Sequence, residues 1–258
     1  MMWTTQPRSE CGALAAIRTG PKPTVLFIHG VGLRAEAWAA QLAALSGKAE
    51  CVAVDLPGHG NSPLPERAQT IADYSEAVAS CLDRPMTLVG HSMGALIALD
   101  LALHNPDRVR GVVALNTIFQ RTPKAAAAVQ ARASALDGVS PVDPETTLQR
   151  WFGDAASPER TACEAWLRSV HPKAYKLAYT VFANADGPNP DDLAQLSRPA
   201  VFTTGAEEPN STPDMSAALA RIAPQGQAKV IAGAAHMMPM THTGAVNDIL
   251  LRHLGEGV

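Results

Sequence analysis

The sequence predicts an α/β protein with a mainly parallel central sheet flanked by helices and a helical insertion. Three observations predict it. Up to about residue 116, short apolar β-branched runs alternate with longer segments of helical period, the pattern of repeated βα construction. That alternation stops over residues 119–195, where the text is helical throughout. Strand-like text then resumes at 199–204 and 229–232, before a closing helix at about 244–254.

Taken in order, the strands of the first half are expected at 24–28, 51–54, 86–89 and 111–115, with helices at 35–45, 71–82 and 93–103. Each of the first three strands runs into a glycine-containing turn and then a helix, as a parallel crossover requires. Residues 1–118 and 196–258 are thus expected to form one core, and 119–195 a helical cap inserted into it, with an Ala-rich helix at 124–136. The insertion carries seven of the twelve aromatics: Phe119, Trp151, Phe152, Trp166, Tyr175, Tyr179 and Phe182. Two roles are open to them, a small core of the insertion's own and the roof of an apolar pocket. Trp151, Phe152 and Trp166 are the candidates for contact with a substrate.

Composition narrows the function classes. The 258 residues are 47% apolar and 17% charged, with a formal net charge of −3. With 19 glycines and 20 prolines, the chain falls short of low-complexity composition. The near-neutral charge gives no electrostatic reason to expect nucleic acid or an anionic membrane, and points instead to a small neutral or weakly charged ligand. There is no secretory-type apolar segment at the start and no run of about 18 apolar residues. Cys11, Cys51, Cys81 and Cys163 are widely spaced, without a metal-site pattern, so a reducing cytoplasm is the expected compartment. No metal or organic cofactor is expected. A homo-oligomer is compatible with the sequence, which contains nothing that specifies one.

The chemistry is carried by Gly90-His91-Ser92-Met93-Gly94, which lies between an apolar strand and a helix. A serine on so tight a strand-to-helix turn needs small residues two before and two after it, and glycine stands at both positions. The turn also puts the Met93 amide at a helix start, where it can face an oxyanion. A second donor is expected from His29-Gly30-Val31-Gly32, through the Val31 amide.

Together with Asp55-Leu56-Pro57-Gly58-His59-Gly60-Asn61-Ser62, these motifs resemble the α/β-hydrolase fold superfamily. Within it the chain is most similar to small cofactor-free carboxylesterases and enol-lactonases of the 3-oxoadipate type. The resemblance implies a catalytic triad in the chain order serine, acid, histidine. His236, after the late strand, takes the histidine position, with His242 as its competitor. The family's acid lies three residues beyond a glycine after the strand that follows the insertion, and Glu208 stands there, a departure from the commoner aspartate. Glu207 and Asp214 remain competitors. His29, His59 and His91 are expected to fix loops, and Asp55 to hold its turn through backbone amides. The expected reaction is hydrolysis of a small carboxylic ester or lactone through an acyl-enzyme, with Val31 and Met93 as the oxyanion hole. Its alternatives are C–C hydrolysis of a ring-cleavage diketone and a ligand receptor with a vestigial site.

Overall fold

A computed structural model describes residues 3–67 and 69–255. Eight strands form one sheet: β1 (Ser9–Cys11), β2 (Leu14–Arg18), β3 (Val25–Ile28), β4 (Cys51–Val54), β5 (Met86–His91), β6 (Val109–Leu115), β7 (Ala200–Gly205) and β8 (Gly226–Ile231). Their order across the sheet is β1-β2-β4-β3-β5-β6-β7-β8. The pairings β1–β2 and β2–β4 are antiparallel, and every other pairing is parallel. β1 and β2 are absent from the sequence-based expectation. β1 has only three residues, and β2 reads Leu-Ala-Ala-Ile-Arg, whose alanines carry little strand preference.

The helices are α1 (Ala39–Ala44), α2 (Ile71–Ala79), α3 (Met93–His104), α4 (Pro123–Ala135), α5 (Glu145–Phe152), α6 (Pro158–Ser169), α7 (Pro172–Asn184), α8 (Pro190–Leu193), α9 (Pro213–Ile222), α10 (Met238–Thr241) and α11 (Thr243–Gly255). A tight helical turn at Ala35–Trp38 precedes α1, so the single helix expected over 35–45 is split in two. All of α4–α8 lies between β6 and β7. The helix starts are written locally: Thr122, Ser157, His171, Asn189 and Thr212 each cap a helix whose first residue is proline. Such a cap satisfies an orphan amide, and proline has no amide to lose there.

Strand alternation divides the core between the two faces of the sheet. Leu26 and Ile28 of β3 join one cluster with α2, α3 and the cap, whereas Val25 and Phe27 join the other with Trp38 and α11. The register of the parallel strands sets Gly90 beside Ala114, and Leu115 beside Thr203. The carboxyl ends of β5, β6 and β7 are therefore level, and the loops that follow them share one edge, where open α/β sheets bind their ligands.

Just after the carboxyl end of β4, at Asp55, lies a buried ion cluster. Arg8 donates to Glu36 at 2.6 and 2.9 Å and to Asp55 at 2.7 and 3.3 Å. Both carboxylate side chains are fully excluded from solvent. Burial opposes their ionisation, but Arg8 and backbone amides outweigh it and hold both below the usual carboxylate range. Arg8→Met is expected to destabilise the fold by about 3–5 kcal/mol, because it strands buried charge rather than merely deleting a bond. Urea unfolding at neutral pH checks this, and a loss under 1 kcal/mol would contradict it.

Candidate active site

The turn after β5 is a close steric fit. A Cβ on Gly90 would lie 2.2 Å from the carbonyl oxygen of Gly94, and one on Gly94 would lie 2.1 Å from that of Ile28. Both are far inside contact distance, so glycine is required at each position. Ser92 itself has φ 56° and ψ −119°, a conformation in which non-glycine residues are uncommon. Its amide donates to the Leu115 carbonyl at 2.8 Å, which ties the turn to β6. Its side chain opens into a cavity under the cap.

His236 lines the same cavity and arrives from the loop between β8 and α10. Its Nδ1–H donates to Glu208 Oε2 at 2.9 Å, which leaves Nε2 with its lone pair. Ser92 Oγ and the ring make no hydrogen bond in this structure, although both face the cavity. The Glu208 side chain is wholly buried. Its Oε1 accepts from the Asn210 and Ser211 amides at 2.8 and 3.3 Å and from Asn210 Nδ2 at 3.3 Å. Burial opposes ionisation here too, but the attraction of His236 when protonated, its hydrogen bond and those amides prevail and bring the carboxyl to about 2. Glu207 and Asp214 are exposed. His242 borders an outer cleft that shares Arg150 and Trp151 with this cavity, and it bonds with Thr241 Oγ1 at 3.0 Å. Of the competing residues, Glu208 and His236 are the pair that meet.

The backbone of His236 is also held. Its carbonyl accepts from Asn116 Nδ2 at 2.6 Å and from His91 Nε2 at 2.8 Å. Asn116 follows β6 with φ 52°, and its Oδ1 lies 3.1 Å from Thr204 Oγ1. Burial and the nearby His236 push His91 down to about 3, so it is a neutral donor at working pH. On the cavity side the Trp151 ring stacks on His236, with centroids 5.5 Å apart and planes 18° off parallel.

The loop after β3 is set by two neutral histidines. His59 Nδ1–H donates to Pro57 O at 3.1 Å, and its Nε2 accepts from the Gly32 amide at 3.1 Å. His29 Nδ1–H donates to Gly30 O at 2.7 Å, and its Nε2 accepts from the Leu56 amide at 2.9 Å. Burial pushes His29 to about 3 and lowers His59 as well. Asp55 accepts from the Ala35 and Asn61 amides at 2.8 and 2.9 Å, so it is a turn-fixing group. Val31 is thereby held at the cavity wall, and Met93 is the first residue of α3. Neither amide donates to a protein acceptor among the described residues.

Of the three aromatic candidates, Trp151 lines the cavity. Phe152, one residue and about 100° further round α5, lines only the outer cleft, which Trp151 borders as well. Trp166 is packed into the core and borders a third cleft beside Leu33 and Gly58. Neither Phe152 nor Trp166 touches the Ser92 cavity, whose aromatic wall is completed by Tyr175, Tyr179 and Phe182. The polar cavity groups that sequence reasoning passes over are Thr147, Asn210, Arg121, Arg132 and Arg150. The cavity has about 710 Å³ of space free of protein atoms, part of it open to solvent.

Among the described residues no cluster of three metal-ligating side chains occurs, and no helix is long and apolar enough to cross a membrane. The four cysteines are buried and free.

A strained serine turn at the sheet's carboxyl edge, faced by a histidine that a buried carboxylate orients, is a hydrolase arrangement. The chain belongs to the alpha/beta hydrolase family, whose model matches residues 25–249, and it is a hydrolase. It is 37% identical over 238 residues, 90% of each chain, to an (E)-2-((N-methylformamido)methylene)succinate hydrolase of Acinetobacter baylyi. Among solved structures it resembles a thermophilic esterase of Thermogutta terrifontis, with a TM-score of 0.84 and 25% identity over 98% of this chain and 99% of that one. An enol-lactonase of Burkholderia xenovorans shares the fold, with a TM-score of 0.82 and 21% identity over 96% of this chain and all of that one.

Proposed function

We propose that the chain hydrolyses a small carboxylic ester or lactone by acyl transfer, with Ser92 as nucleophile. The observation that carries this reading is the hydrogen bond from His236 to the buried Glu208 at 2.9 Å, on a ring that shares its cavity with Ser92. A serine hydroxyl is a weak nucleophile until a base takes its proton. Glu208 fixes the tautomer in which Nε2 is free to do so, and it stabilises the imidazolium that results. The Val31 and Met93 amides then receive the oxyanion, at a helix start whose dipole favours negative charge. His236 returns the proton to the leaving group. Water, activated by the same ring, releases the acid. No step needs a cofactor.

A second reading is hydrolysis of an activated amide, favoured by the likeness along nine-tenths of both chains to a hydrolase of an N-methylformamido compound. The same attack and the same proton return serve an amide, the leaving atom being nitrogen.

Turnover of short p-nitrophenyl esters by the wild type and by folded Ser92→Ala tests the proposal, with mass spectrometry of the acylated peptide. We expect multiple turnover, acyl adduct on Ser92, and a loss of kcat of about 10⁴-fold or more in the variant. An adduct elsewhere, or a variant within ten-fold of wild type, would refute it. An N-vinyl formamide cleaved faster than any ester would favour the second reading.

A further inference from the structure

The cavity beside Ser92 has a charge that the chain as a whole conceals. Three of its lining side chains are the guanidinium groups of Arg121, Arg132 and Arg150, and no aspartate or glutamate lines it. Elsewhere arginines meet carboxylates: Arg8 and Arg34 on Glu36, Arg160 on Glu145, Arg168 on Glu164. The guanidinium groups of the cavity arginines donate only to neutral acceptors among the described residues, although the Arg121 backbone amide donates to Asp186 Oδ1 at 2.7 Å. Arg132 Nε donates to Tyr179 Oη at 3.0 Å. Arg150 donates to Thr146 O at 3.4 Å and to Thr147 Oγ1 at 3.3 Å. Arg121 is spent on the Ala185 and Phe182 carbonyls and lies 4.6 Å above the Phe182 ring.

Resting on the serine-hydrolase reading of this site, we propose that its substrate is a small dicarboxylate, with one carboxylate held by Arg132 and the other by Arg150, and the scissile acyl group directed to Ser92. The two groups come from different cap helices, α4 and α5, so two anions on one small molecule are received from two directions. A guanidinium presents a planar fork that matches a carboxylate with two parallel hydrogen bonds. Arg132 keeps its terminal nitrogens free of any protein partner among the described residues, and Arg150 keeps one. Arg121, both of whose terminal nitrogens are engaged by the Ala185 and Phe182 carbonyls, supplies a fixed positive background. Burial, with a smaller contribution from the nearby Arg132 charge, lowers its proton affinity against the opposing charge of Asp186. Walls of Ile118, Val129 and the aromatics limit competing hydration, so the field is concentrated on a ligand. The apolar roof expected from composition is therefore cationic at its anchoring points.

The test separates binding from catalysis. Calorimetry on Ser92→Ala at low ionic strength compares succinate, monomethyl succinate and succinamide, which have two, one and no carboxylates. Affinity is expected to fall about ten-fold at each step, and salt is expected to weaken succinate most. Arg132→Gln and Arg150→Gln are each expected to reduce succinate to the affinity of the monoester, and Arg→Lys at either position to restore part of it. Equal binding of the three ligands, or none by succinate, overturns the proposal. Succinate no tighter than monomethyl succinate overturns the two-anion assignment.

With wild-type enzyme, kcat/KM for p-nitrophenyl hemisuccinate is expected to exceed that for p-nitrophenyl acetate at least ten-fold, and either Gln variant to narrow that ratio. An unchanged ratio counts against the proposal. Retention of turnover by Ser92→Ala would instead defeat the serine reading while leaving the binding result intact.

Discussion

Glu208→Gln is expected to lower kcat by about 10⁴-fold while the fold survives. The reason lies in what surrounds the two carboxylate oxygens. Oε1 accepts three hydrogen bonds, from the Asn210 and Ser211 amides and Asn210 Nδ2. A glutamine must place its carbonyl oxygen there, because an NH₂ group would face three donors. Its NH₂ then points at His236 Nδ1 and demands an acceptor. The imidazole proton is driven to Nε2, the nitrogen that must be free to accept from Ser92. A merely weakened triad would lose about ten-fold, so steady-state kinetics on a soluble ester separates the two outcomes. Glu208→Asp keeps the tautomer but shortens the reach, and is expected to fall between wild type and Gln.

The same residue links stability to acid. Its carboxyl is lowered from 4.5 to about 2. A depressed carboxyl contributes stability above its unfolded value and loses it as pH falls through the folded value. The wild type should therefore be more stable than Glu208→Gln at neutral pH, and the gap should narrow from about 4.5 down to about 2. Urea midpoints of the two proteins, measured across that range, check it. A gap that widens on acidification would contradict the assignment of Glu208 as the buried anion.

What could be read in advance follows the range over which each feature is encoded. The turn at Ser92 is local: five residues, with glycines at fixed offsets, single it out without knowledge of anything else. Glu208 and His236 are positions that the family resemblance ties to strand ends; β7 is announced by a buried apolar start, whereas β8 reads Gly-Gln-Ala-Lys-Val-Ile and is mostly exposed. Asn116 sits beside a strand end as well, yet its role arises from the His236 carbonyl, 120 residues away, and no pattern joins the two. Trp151 and Phe152 are neighbours in sequence and were indistinguishable there, but a helix sends adjacent side chains about 100° apart. The arginines were the hardest. Arg121, Arg132 and Arg150 lie on separate segments and are lost in a net charge of −3, so whole-chain electrostatics pointed toward a neutral ligand. Only the packing of α4 and α5 over the sheet edge turns them into one field.

Gly94→Ala is expected to damage stability and chemistry together. The added methyl would lie 2.1 Å from the Ile28 carbonyl oxygen and 2.6 Å from that of His29. Both are backbone atoms of the β3 end, so no side chain can rotate away, and α3 must lift from the sheet. Enforced overpacking of a core costs about 1–3 kcal/mol, and here the neighbour is a strand buried along its whole length. Lifting α3 also moves the Met93 amide, its first, relative to Val31. Loss of one well-placed oxyanion donor costs about 10²- to 10³-fold in kcat. The expected result is a fold weakened by at least 2 kcal/mol, with kcat in the surviving protein down by about 10²-fold. Gly244→Ala is the control, since nothing lies within 4 Å of its added Cβ at the start of α11. Alanine there removes backbone entropy from the unfolded chain and should stabilise by up to about 1 kcal/mol with kcat unchanged. Thermal unfolding and ester kinetics on both variants decide the matter. A Gly94→Ala protein with unaltered kcat would mean that the amide at the start of α3 takes no part in stabilising the oxyanion.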